Sequence, residues 1–178
     1  LCFFGDGAIH QGTFHETLNM ASVWKLPVIY ICENNQYGMG TDFKRVSSQP
    51  DFSKMANSYE MEGHTIDGMD VLGGYEKIKE VANKVREDKK PVFIEAATYR
   101  YRGHSMSDPA TYRTKDEVAE YKEQDPIIIL KNKMIEAGIL SEEQYKEKDD
   151  NAKRIAKEAV DFAEKSENPG LDTMYEDV

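Results

Sequence analysis

The hydrophobic positions of the chain fall into short apolar runs separated by longer amphipathic stretches. Apolar runs of strand length cover residues 1–4, 27–32, 62–66 and 91–97. The stretches that separate the clearest of these runs carry apolar residues at helical spacing. Strands that alternate with helices are typical of a parallel sheet with helices on both faces. The pattern therefore predicts an α/β fold.

Two helices are predicted between these strands. The first covers residues 9–25 and is ended by Pro27, and the second runs from about Val71 to Asp88 after a cap at Asp70. The predicted core face of the first helix consists of Phe14, Leu18, Ala21 and either Val23 or Trp24. The predicted inward residues of the second helix are Val71, Ile78, Val81, Ala82 and Val85.

The last third of the chain is rich in Glu and Lys, and its pattern predicts helices rather than strands. The segment Thr114–Glu117 has the sequence of a capping box. A helix then begins at Pro126, runs to about Ala137 and ends at Gly138. A longer helix is predicted over residues 142–166. Its inward stripe would consist of Ile155, Ala159 and Phe162.

The composition is that of an acidic globular protein, with a formal net charge of −10 and 31% charged residues. This charge argues against nucleic acid or anionic membranes as partners and favours small ligands or basic proteins. No apolar run reaches the roughly 20 residues that span a bilayer, and no signal peptide is visible. Cys2 and Cys32 fall in strands predicted to be buried, which favours reduced thiols in a cytosolic or matrix-like compartment. Because the chain begins inside an apolar strand, we expect further sequence before it.

Polar residues follow the first two predicted strands at the points where these end. The first strand is followed by Gly5-Asp6-Gly7 and the second by Glu33-Asn34-Asn35. Ligands bind at the edge formed by the carboxyl ends of parallel strands, so we expect Asp6 and Asn35 to lie close together there. The start of the first helix suits a phosphate, and a carboxylate with an amide oxygen suits Mg²⁺. Since GxGxxG and GxxxxGK[ST] are both absent from the sequence, these residues predict a magnesium–diphosphate site of another kind.

A basic loop, Thr98–Arg113, follows the last predicted strand. Its cations are Arg100, Arg102, His104 and Arg113. Such groups could bind a diphosphate or the carboxylate of a substrate, and the alternative is a solvated basic loop. His10, near the start of the first helix, could also face a cofactor.

In this chain the GDG motif at residues 5–7 and the NN motif at residues 34 and 35 are separated by residues 8–33. This spacing resembles the GDG-to-NN spacing of thiamin-diphosphate-dependent enzymes. The surrounding sequence resembles the alpha subunit of pyruvate dehydrogenase, the decarboxylating component of the 2-oxo acid dehydrogenase complexes. The resemblance is dense from Leu1 to about Asp125 and weaker beyond. The segments that carry it are GDGAIHQGTFHETLNMASVWKLPVIYICENNQYGMGT, IDGMDV and TYRYRGHSMSDPATYR.

The resemblance implies a three-layer, parallel-sheet thiamin-diphosphate-binding fold with a helical C-terminal tail. Residues 1–125 would be the C-terminal part of the cofactor-binding domain, and residues 126–178 a helical tail packed on this domain or on a partner subunit. The implied cofactors are thiamin diphosphate and Mg²⁺. The implied metal ligands are Asp6, Asn35 and the backbone carbonyl of Tyr37. The implied cofactor-binding residues are Asp6, Gly7, Ala8, Asn35, Tyr37 and His104, with His104 also the catalytic residue at the active-site entrance.

The implied activity is the oxidative decarboxylation of pyruvate with transfer of the acetyl group to a lipoyl arm. The implied partners are a beta subunit, in an α2β2 heterotetramer, and a lipoyl-bearing dihydrolipoyl acetyltransferase. The glutamate that activates the cofactor would come from the beta subunit, so this chain alone should be catalytically incomplete. We expect neither nucleic acid nor a membrane as partner, and a location in the cytoplasm of a bacterium or in a mitochondrial matrix or plastid stroma. In mitochondrial relatives the loop with Ser105 and Ser107 is a kinase target.

Two other functions stay open at the level of the sequence. The alpha subunits of acetoin dehydrogenase and of the branched-chain 2-oxo acid dehydrogenase share the cofactor motif, although GMGT and HSMSDP look more like the pyruvate enzyme. A noncatalytic fragment that binds cofactor or assembles with partners is an interpretation of a different class. Magnesium-dependent binding of thiamin diphosphate, with and without a beta subunit, discriminates between an enzyme subunit and such a fragment.

Overall fold

The computed structural model describes residues 1–176 and contains a four-stranded parallel sheet. The strands are β1 (Cys2–Gly5), β2 (Ile29–Asn34), β3 (Tyr37–Gly38), β4 (Thr41–Asp42), β5 (Glu62–Asp67) and β6 (Val92–Ala97). The order in the sheet is β1-β2-β6-β5, and β3 and β4 form a separate antiparallel pair. Gly5 pairs with Glu33, and Asn34 and Asp67 both pair with Ala97, so the carboxyl ends of the four strands lie at one edge. The predicted α/β fold with a parallel sheet is confirmed.

Helices connect the strands and form the C-terminal part of the chain. The α-helices are α1 (Gly12–Val23), α2 (Val71–Asp88), α3 (Lys115–Glu123), α4 (Pro126–Glu136) and α5 (Glu142–Lys165). Short 3₁₀ helices cover Asp6–Ala8, Phe43–Arg45, Phe52–Tyr59 and Leu171–Tyr175. Within residues 1–176, no helix combines the length and the apolar character that crossing a membrane requires.

Helices α1 and α2 pack on opposite faces of the sheet. Along β2, Tyr30 and Cys32 join the core cluster of α1, whereas Ile29 and Ile31 join the cluster of α2. This alternation follows from the strand geometry, which directs successive side chains to opposite faces. The buried residues that the helices contribute are Phe14, Leu18 and Ala21 from α1 and Val81 and Val85 from α2. These inward positions were predicted from the helical spacing and are confirmed.

Helix α1 is shorter than predicted. It begins at Gly12 rather than at residue 9, because Asp6–Ala8 form a separate 3₁₀ turn and Gln11 has an extended backbone with φ −81° and ψ 146°. The helix ends at Val23, and the side chains of Val23 and Trp24 are exposed. The predictions that the helix begins at residue 9 and that Val23 or Trp24 extends its core face are therefore wrong.

Two other residues predicted to be buried are exposed. Cys2 is exposed because β1 is an edge strand of the sheet in the described residues. Val71 is exposed because it is the first residue of α2, directly after the cap at Asp70, and precedes the buried face of the helix. Cys32, in contrast, is fully buried as predicted.

The chain divides into two compact units, residues 1–130 and the residues from Lys131 onward. In the second unit, Gly138 adopts a φ of +69° just after α4, as a glycine at a helix end commonly does. Ser141 then starts α5 through a complete capping box with Gln144. Lys131 connects the two helices, because its Nζ lies 2.8 Å from the carboxylate of Glu142. The predicted division at residues 125 and 126 stays a prediction.

The predicted inward stripe of α5 is not buried by the described residues, and its packing on a partner subunit stays a prediction. Ile155 and Ala159 are exposed, and Phe162 is 75% exposed. Helical periodicity correctly places these residues on one face, but in the described residues no element covers that face. The helix is instead supported along its own length by ion pairs four residues apart. These pairs are Lys153–Asp149 at 2.5 Å, Arg154–Glu158 at 2.6 Å and Lys157–Asp161 at 2.7 Å.

A buried carboxylate joins the two central strands of the sheet, β2 and β6, to the 3₁₀ helix Phe52–Tyr59. Glu95 in β6 is 4% exposed. Its Oε1 accepts a hydrogen bond of 2.7 Å from Nδ2 of Asn34, and its Oε2 accepts one of 2.9 Å from the backbone N–H of Phe52. A buried polar group left without its hydrogen bond costs about 1–3 kcal/mol, so this carboxylate stabilises β2, β6 and the 3₁₀ helix together.

We expect Glu95→Gln to lower the free energy of unfolding by about 1–3 kcal/mol. The substitution keeps the size of the side chain, but its NH₂ group must face one of two donors, Nδ2 of Asn34 or the N–H of Phe52. Rotating the Asn34 amide does not help, because its Oδ1 already accepts a bond of 3.0 Å from the N–H of Gln36. Urea unfolding monitored by circular dichroism measures the change.

The control variant is Glu76→Gln, which makes the same chemical change on the exposed side of α2. It should alter the free energy of unfolding by less than about 0.5 kcal/mol. Equal losses in the two variants would contradict a specific role for the buried carboxylate.

Candidate functional site

A pocket of about 610 Å³ lies at the carboxyl ends of β1 and β2. This is the edge at which the sequence predicted a ligand site. The residues that line the pocket are Gly5, Asp6, Gly7, Ala8, His10, Asn35, Tyr37, Gly38, Met39, Thr41, Phe43, Val46, Arg100 and His104. All six predicted cofactor-binding residues are among them, and so is His10.

The backbone of the 3₁₀ turn Asp6–Ala8 passes close to β3 at the floor of this pocket. A Cβ atom placed on Gly38 would lie 3.4 Å from Cα of Gly7 and 3.8 Å from Oδ2 of Asp6. Both distances are ordinary van der Waals contacts, so the turn and β3 pack closely against each other beside the carboxylate of Asp6.

Asp6 is a nearly buried carboxylate, with 4% of its surface exposed. Burial raises the pKa of Asp6, while hydrogen bonds from the backbone of Asp6 and Asn35 and the positive charge of Arg100 act in the opposite direction. Desolvation of an ionised carboxylate is unfavourable unless a cation or hydrogen-bond donors compensate for it. A hard divalent cation would provide such compensation at this position.

The two consecutive asparagines that end and follow β2 have different environments. Asn34 is buried, donates to Glu95 through Nδ2 and accepts from the N–H of Gln36 through Oδ1 at 3.0 Å. Asn35 lines the pocket, and its Oδ1 accepts a bond of 3.4 Å from the N–H of Tyr37. Gln36 between these residues has a φ of +75°, in the left-handed region. Asn34 therefore holds the turn in place, and Asn35 lies at the pocket.

Tyr37 contributes to the site through its backbone as well as its ring. Its carbonyl oxygen accepts a bond of 3.3 Å from Nη1 of Arg100. A carbonyl oxygen has two lone pairs, so this bond leaves capacity for a second partner. Arg100 also donates from Nη2 to the carbonyl of Met39 at 2.6 Å and to the hydroxyl of Tyr112 at 2.9 Å. The basic loop is thereby attached to the turn around Tyr37.

The loop Thr98–Arg113 is organised around Asp108. The carboxylate of Asp108 accepts bonds from the N–H of His104 at 2.7 Å, the N–H of Ala110 at 2.8 Å and the hydroxyl of Tyr112 at 2.9 Å. These bonds lower the pKa of Asp108, and the bond from the N–H of His104 has the largest effect. His104 itself is exposed and lines the pocket.

The other loop cations have different roles. Arg102 is exposed and does not line the pocket. The guanidinium of Arg113 lies near three tyrosine rings, those of Tyr37, Tyr99 and Tyr112. Its carbon is 5.3 Å from the ring centre of Tyr99. From the sequence, the loop cations could bind an anion or could be solvated. The structure places Arg100 and His104, but not Arg102 or Arg113, at the pocket.

Glu117 is a residue of this region whose role the sequence did not indicate. Only one of the two bonds of the predicted capping box forms at the start of α3: the side chain of Thr114 accepts a bond of 3.1 Å from the N–H of Glu117. The carboxylate of Glu117 itself accepts hydrogen bonds from the hydroxyls of Tyr37 and Tyr99. Only the helix-capping pattern was visible in the sequence.

The residues that line the pocket include groups of the kind that a hard cation prefers. Asp6 has carboxylate oxygens, Asn35 has an amide oxygen and Tyr37 has a backbone carbonyl oxygen. Within residues 1–176, no three His, Cys, Asp or Glu side chains form a metal-binding cluster. Oxygen ligands that include a single carboxylate fit Mg²⁺, which commonly uses one or two carboxylates together with substrate phosphates.

The chain is similar over nearly its whole length to proteins of known family. A sequence profile of the family "Dehydrogenase E1 component" matches residues 1–172. The pyruvate dehydrogenase E1 component subunit alpha of Rickettsia bellii is 46% identical over 173 residues, which is 97% of this chain and 53% of that protein. The same subunit of Rhizobium meliloti is 45% identical over 179 residues, which is 100% of this chain and 51% of that protein. The testis-specific mitochondrial form of Homo sapiens is 43% identical over 176 residues, which is 98% of this chain and 45% of that protein.

The chain spans about half the length of the curated relatives it matches. The family match nevertheless includes the strands, the turn after β2 and the basic loop, which together form the pocket. The resemblance predicted from the motifs is thereby confirmed. This chain belongs to the dehydrogenase E1 component family.

Proposed function

We propose that this chain is part of the alpha subunit of a thiamin-diphosphate-dependent pyruvate dehydrogenase. The observation that carries the proposal is the pocket in which Asn35 and Tyr37 lie with the desolvated carboxylate of Asp6. The relatives named pyruvate dehydrogenase E1 component subunit alpha support pyruvate as the substrate rather than acetoin or a branched-chain 2-oxo acid. Its fold would be the three-layer thiamin-diphosphate-binding fold.

In this proposal Mg²⁺ is held by the carboxylate of Asp6, the amide oxygen of Asn35 and the backbone carbonyl of Tyr37. Gly7 and Ala8 bring the backbone of the 3₁₀ turn to the diphosphate group. The supporting observations are that Asp6, Gly7, Ala8, Asn35 and Tyr37 all line one pocket and that the carboxylate of Asp6 is 4% exposed. The chain would thus fix the diphosphate end of the cofactor.

Two cations of the basic loop would act at the entrance of the pocket. His104, exposed at the pocket, would act at the entrance, and Arg100 would add positive charge beside the anionic ligand. Thiamin diphosphate, when bound, provides the carbanion stabilisation needed for decarboxylation, and the protein provides binding and orientation. Asp6 and the Tyr37 turn would orient the cofactor for that chemistry.

The proposal includes the partners of a complete enzyme. A beta subunit in an α2β2 heterotetramer would provide the glutamate that activates the cofactor. A lipoyl-bearing dihydrolipoyl acetyltransferase would accept the acetyl group. The relatives include bacterial and mitochondrial proteins, which supports a cytoplasmic or mitochondrial matrix location. The deciding experiment is calorimetric titration of thiamin diphosphate with and without Mg²⁺ and the beta subunit. An enzyme subunit should bind the cofactor only with Mg²⁺ and more tightly with the beta subunit, and the assembly should then turn over pyruvate. A noncatalytic fragment should gain no affinity from the beta subunit and should show no turnover with it.

We expect Asp6→Ala to abolish magnesium-dependent binding of thiamin diphosphate. It removes the anionic ligand of the proposed metal site, and metal affinity in such sites depends on a deprotonated carboxylate. Calorimetry on the assembled enzyme measures the effect. Glu33→Ala is the control, because Glu33 is an exposed carboxylate at the same sheet edge that does not line the pocket. Binding by Asp6→Ala at the wild-type level would overturn the metal assignment.

We expect Asn35→Asp to retain metal binding but to weaken binding of thiamin diphosphate about tenfold or more. The variant adds a negative charge beside an anionic ligand in a poorly solvated pocket, where like charges repel strongly. Titrations with Mn²⁺ alone and with the diphosphate separate the two effects in one variant. An unchanged or higher diphosphate affinity would show that Asn35 does not contact the metal.

We expect the loop Thr98–Arg113 to be mobile in the absence of cofactor and ordered when cofactor and beta subunit are bound. Ordering a loop costs about 1–2 kcal/mol per residue in backbone entropy, and bonds to the diphosphate would offset part of that cost. Hydrogen exchange of the assembled enzyme with and without thiamin diphosphate measures the difference, with β6 as an internal reference. Equal protection in both states would mean that the loop is a static scaffold.

A further inference from the structure

Helix α3 holds two consecutive residues of the turn that follows β2. Nε2 of Gln36 donates a bond of 2.9 Å to the hydroxyl of Tyr121, and the hydroxyl of Tyr37 donates one of 3.0 Å to Oε1 of Glu117. Glu117 and Tyr121 are four residues apart and therefore lie on the same face of α3. The turn is thus attached to the helix through two successive side chains.

Glu117 also attaches the basic loop to the same point. Its Oε1 accepts a second bond, of 2.7 Å, from the hydroxyl of Tyr99 near the start of that loop. Tyr37 and Tyr99 are both buried. Burial, followed by the hydrogen bond to Glu117, raises the pKa of each of these hydroxyls to about 12. Both hydroxyls therefore remain protonated and can donate to the carboxylate throughout the neutral pH range.

Aromatic contacts add to this attachment. The ring of Tyr99 stacks on that of Tyr121, with 3.8 Å between ring centres and an angle of 4° between the planes. The guanidinium carbon of Arg113 lies 6.0 Å from the ring centre of Tyr37 and 5.3 Å from that of Tyr99. A movement of the Glu117 carboxylate would therefore be transmitted to the turn and to the loop together.

We propose that Glu117 is a positioning residue, which fixes the Tyr37 turn and thereby the orientation of the Tyr37 carbonyl toward the metal site. This inference rests on the proposed function, in which that carbonyl binds Mg²⁺. Glu117 does not line the pocket, so it acts through the hydroxyl of Tyr37. Groups that orient metal ligands from outside the coordination sphere commonly change metal affinity by about 10–100-fold when they are replaced.

The first test measures Mn²⁺ affinity by electron paramagnetic resonance, in the assembled enzyme with saturating thiamin diphosphate. Glu117→Ala should weaken Mn²⁺ binding by about tenfold or more. Glu117→Gln should weaken it less, because its amide oxygen still accepts one tyrosine hydroxyl, and this variant serves if Glu117→Ala fails to fold. Glu120→Ala, an exposed carboxylate on the same helix, should bind Mn²⁺ as the wild type does. Wild-type affinity in folded Glu117→Ala overturns the proposal.

A double-mutant cycle tests whether Glu117 acts through Tyr37. Tyr37→Phe removes the same hydrogen bond from the donor side. The combination of Tyr37→Phe with Glu117→Gln should weaken Mn²⁺ binding no more than the stronger of the two single variants, because residues that act as a unit are not additive. Fully additive losses would show that Glu117 affects the metal by another route, and the proposal would fail.

Hydrogen exchange of the metal-free protein provides a readout independent of cofactor. The amides of residues 36–39 should exchange faster in Glu117→Ala than in the wild type or Glu120→Ala, while β6 keeps its protection. If the wild type bound no Mn²⁺, the proposed function would fail by itself, and this exchange would still decide whether Glu117 restrains the turn. Unchanged exchange of residues 36–39 in Glu117→Ala contradicts the restraint.

Discussion

The buried carboxylate of Glu95 is the interaction on which the geometry of the site depends. It accepts from Nδ2 of Asn34, and this bond fixes the Asn34 amide so that its Oδ1 accepts from the N–H of Gln36. Gln36 is thereby held at a φ of +75°, a conformation that costs roughly 1–2 kcal/mol for a residue with a side chain. Hydrogen bonds in the interior of the sheet thus offset backbone strain at its functional edge.

The same edge contains a second unfavourable feature, the desolvated carboxylate of Asp6. Burial raises its pKa, and the nearby charge of Arg100 compensates only in part. In the proposed function a divalent cation and its anionic ligand would make this arrangement favourable, since the cation would satisfy the carboxylate. Strain at Gln36 and desolvation at Asp6 are therefore found together where the family motif lies.

The sequence was informative where position follows from periodicity and poorly informative where contacts are long-range. Asp6 and Asn35 could be placed at one edge because parallel strands end together. The contact between Glu117 and Tyr37 joins residues 80 positions apart, and no local pattern indicates such a contact. For Phe162, periodicity identified the helix face correctly but could not show whether another element covers it. The early start predicted for α1 failed because a 3₁₀ turn intervenes.

The charged flanks of α5 have a consequence for the way the C-terminal unit responds to its surroundings. Three ion pairs four residues apart and a capping box support this helix, and Phe162 on its apolar face is 75% exposed. Each exposed pair contributes only about 0.2–0.5 kcal/mol and is weakened by salt. The helical structure of α5 therefore depends on ionic strength, whereas the sheet depends on the burial of its apolar side chains. Added salt would destabilise α5 and leave the sheet intact.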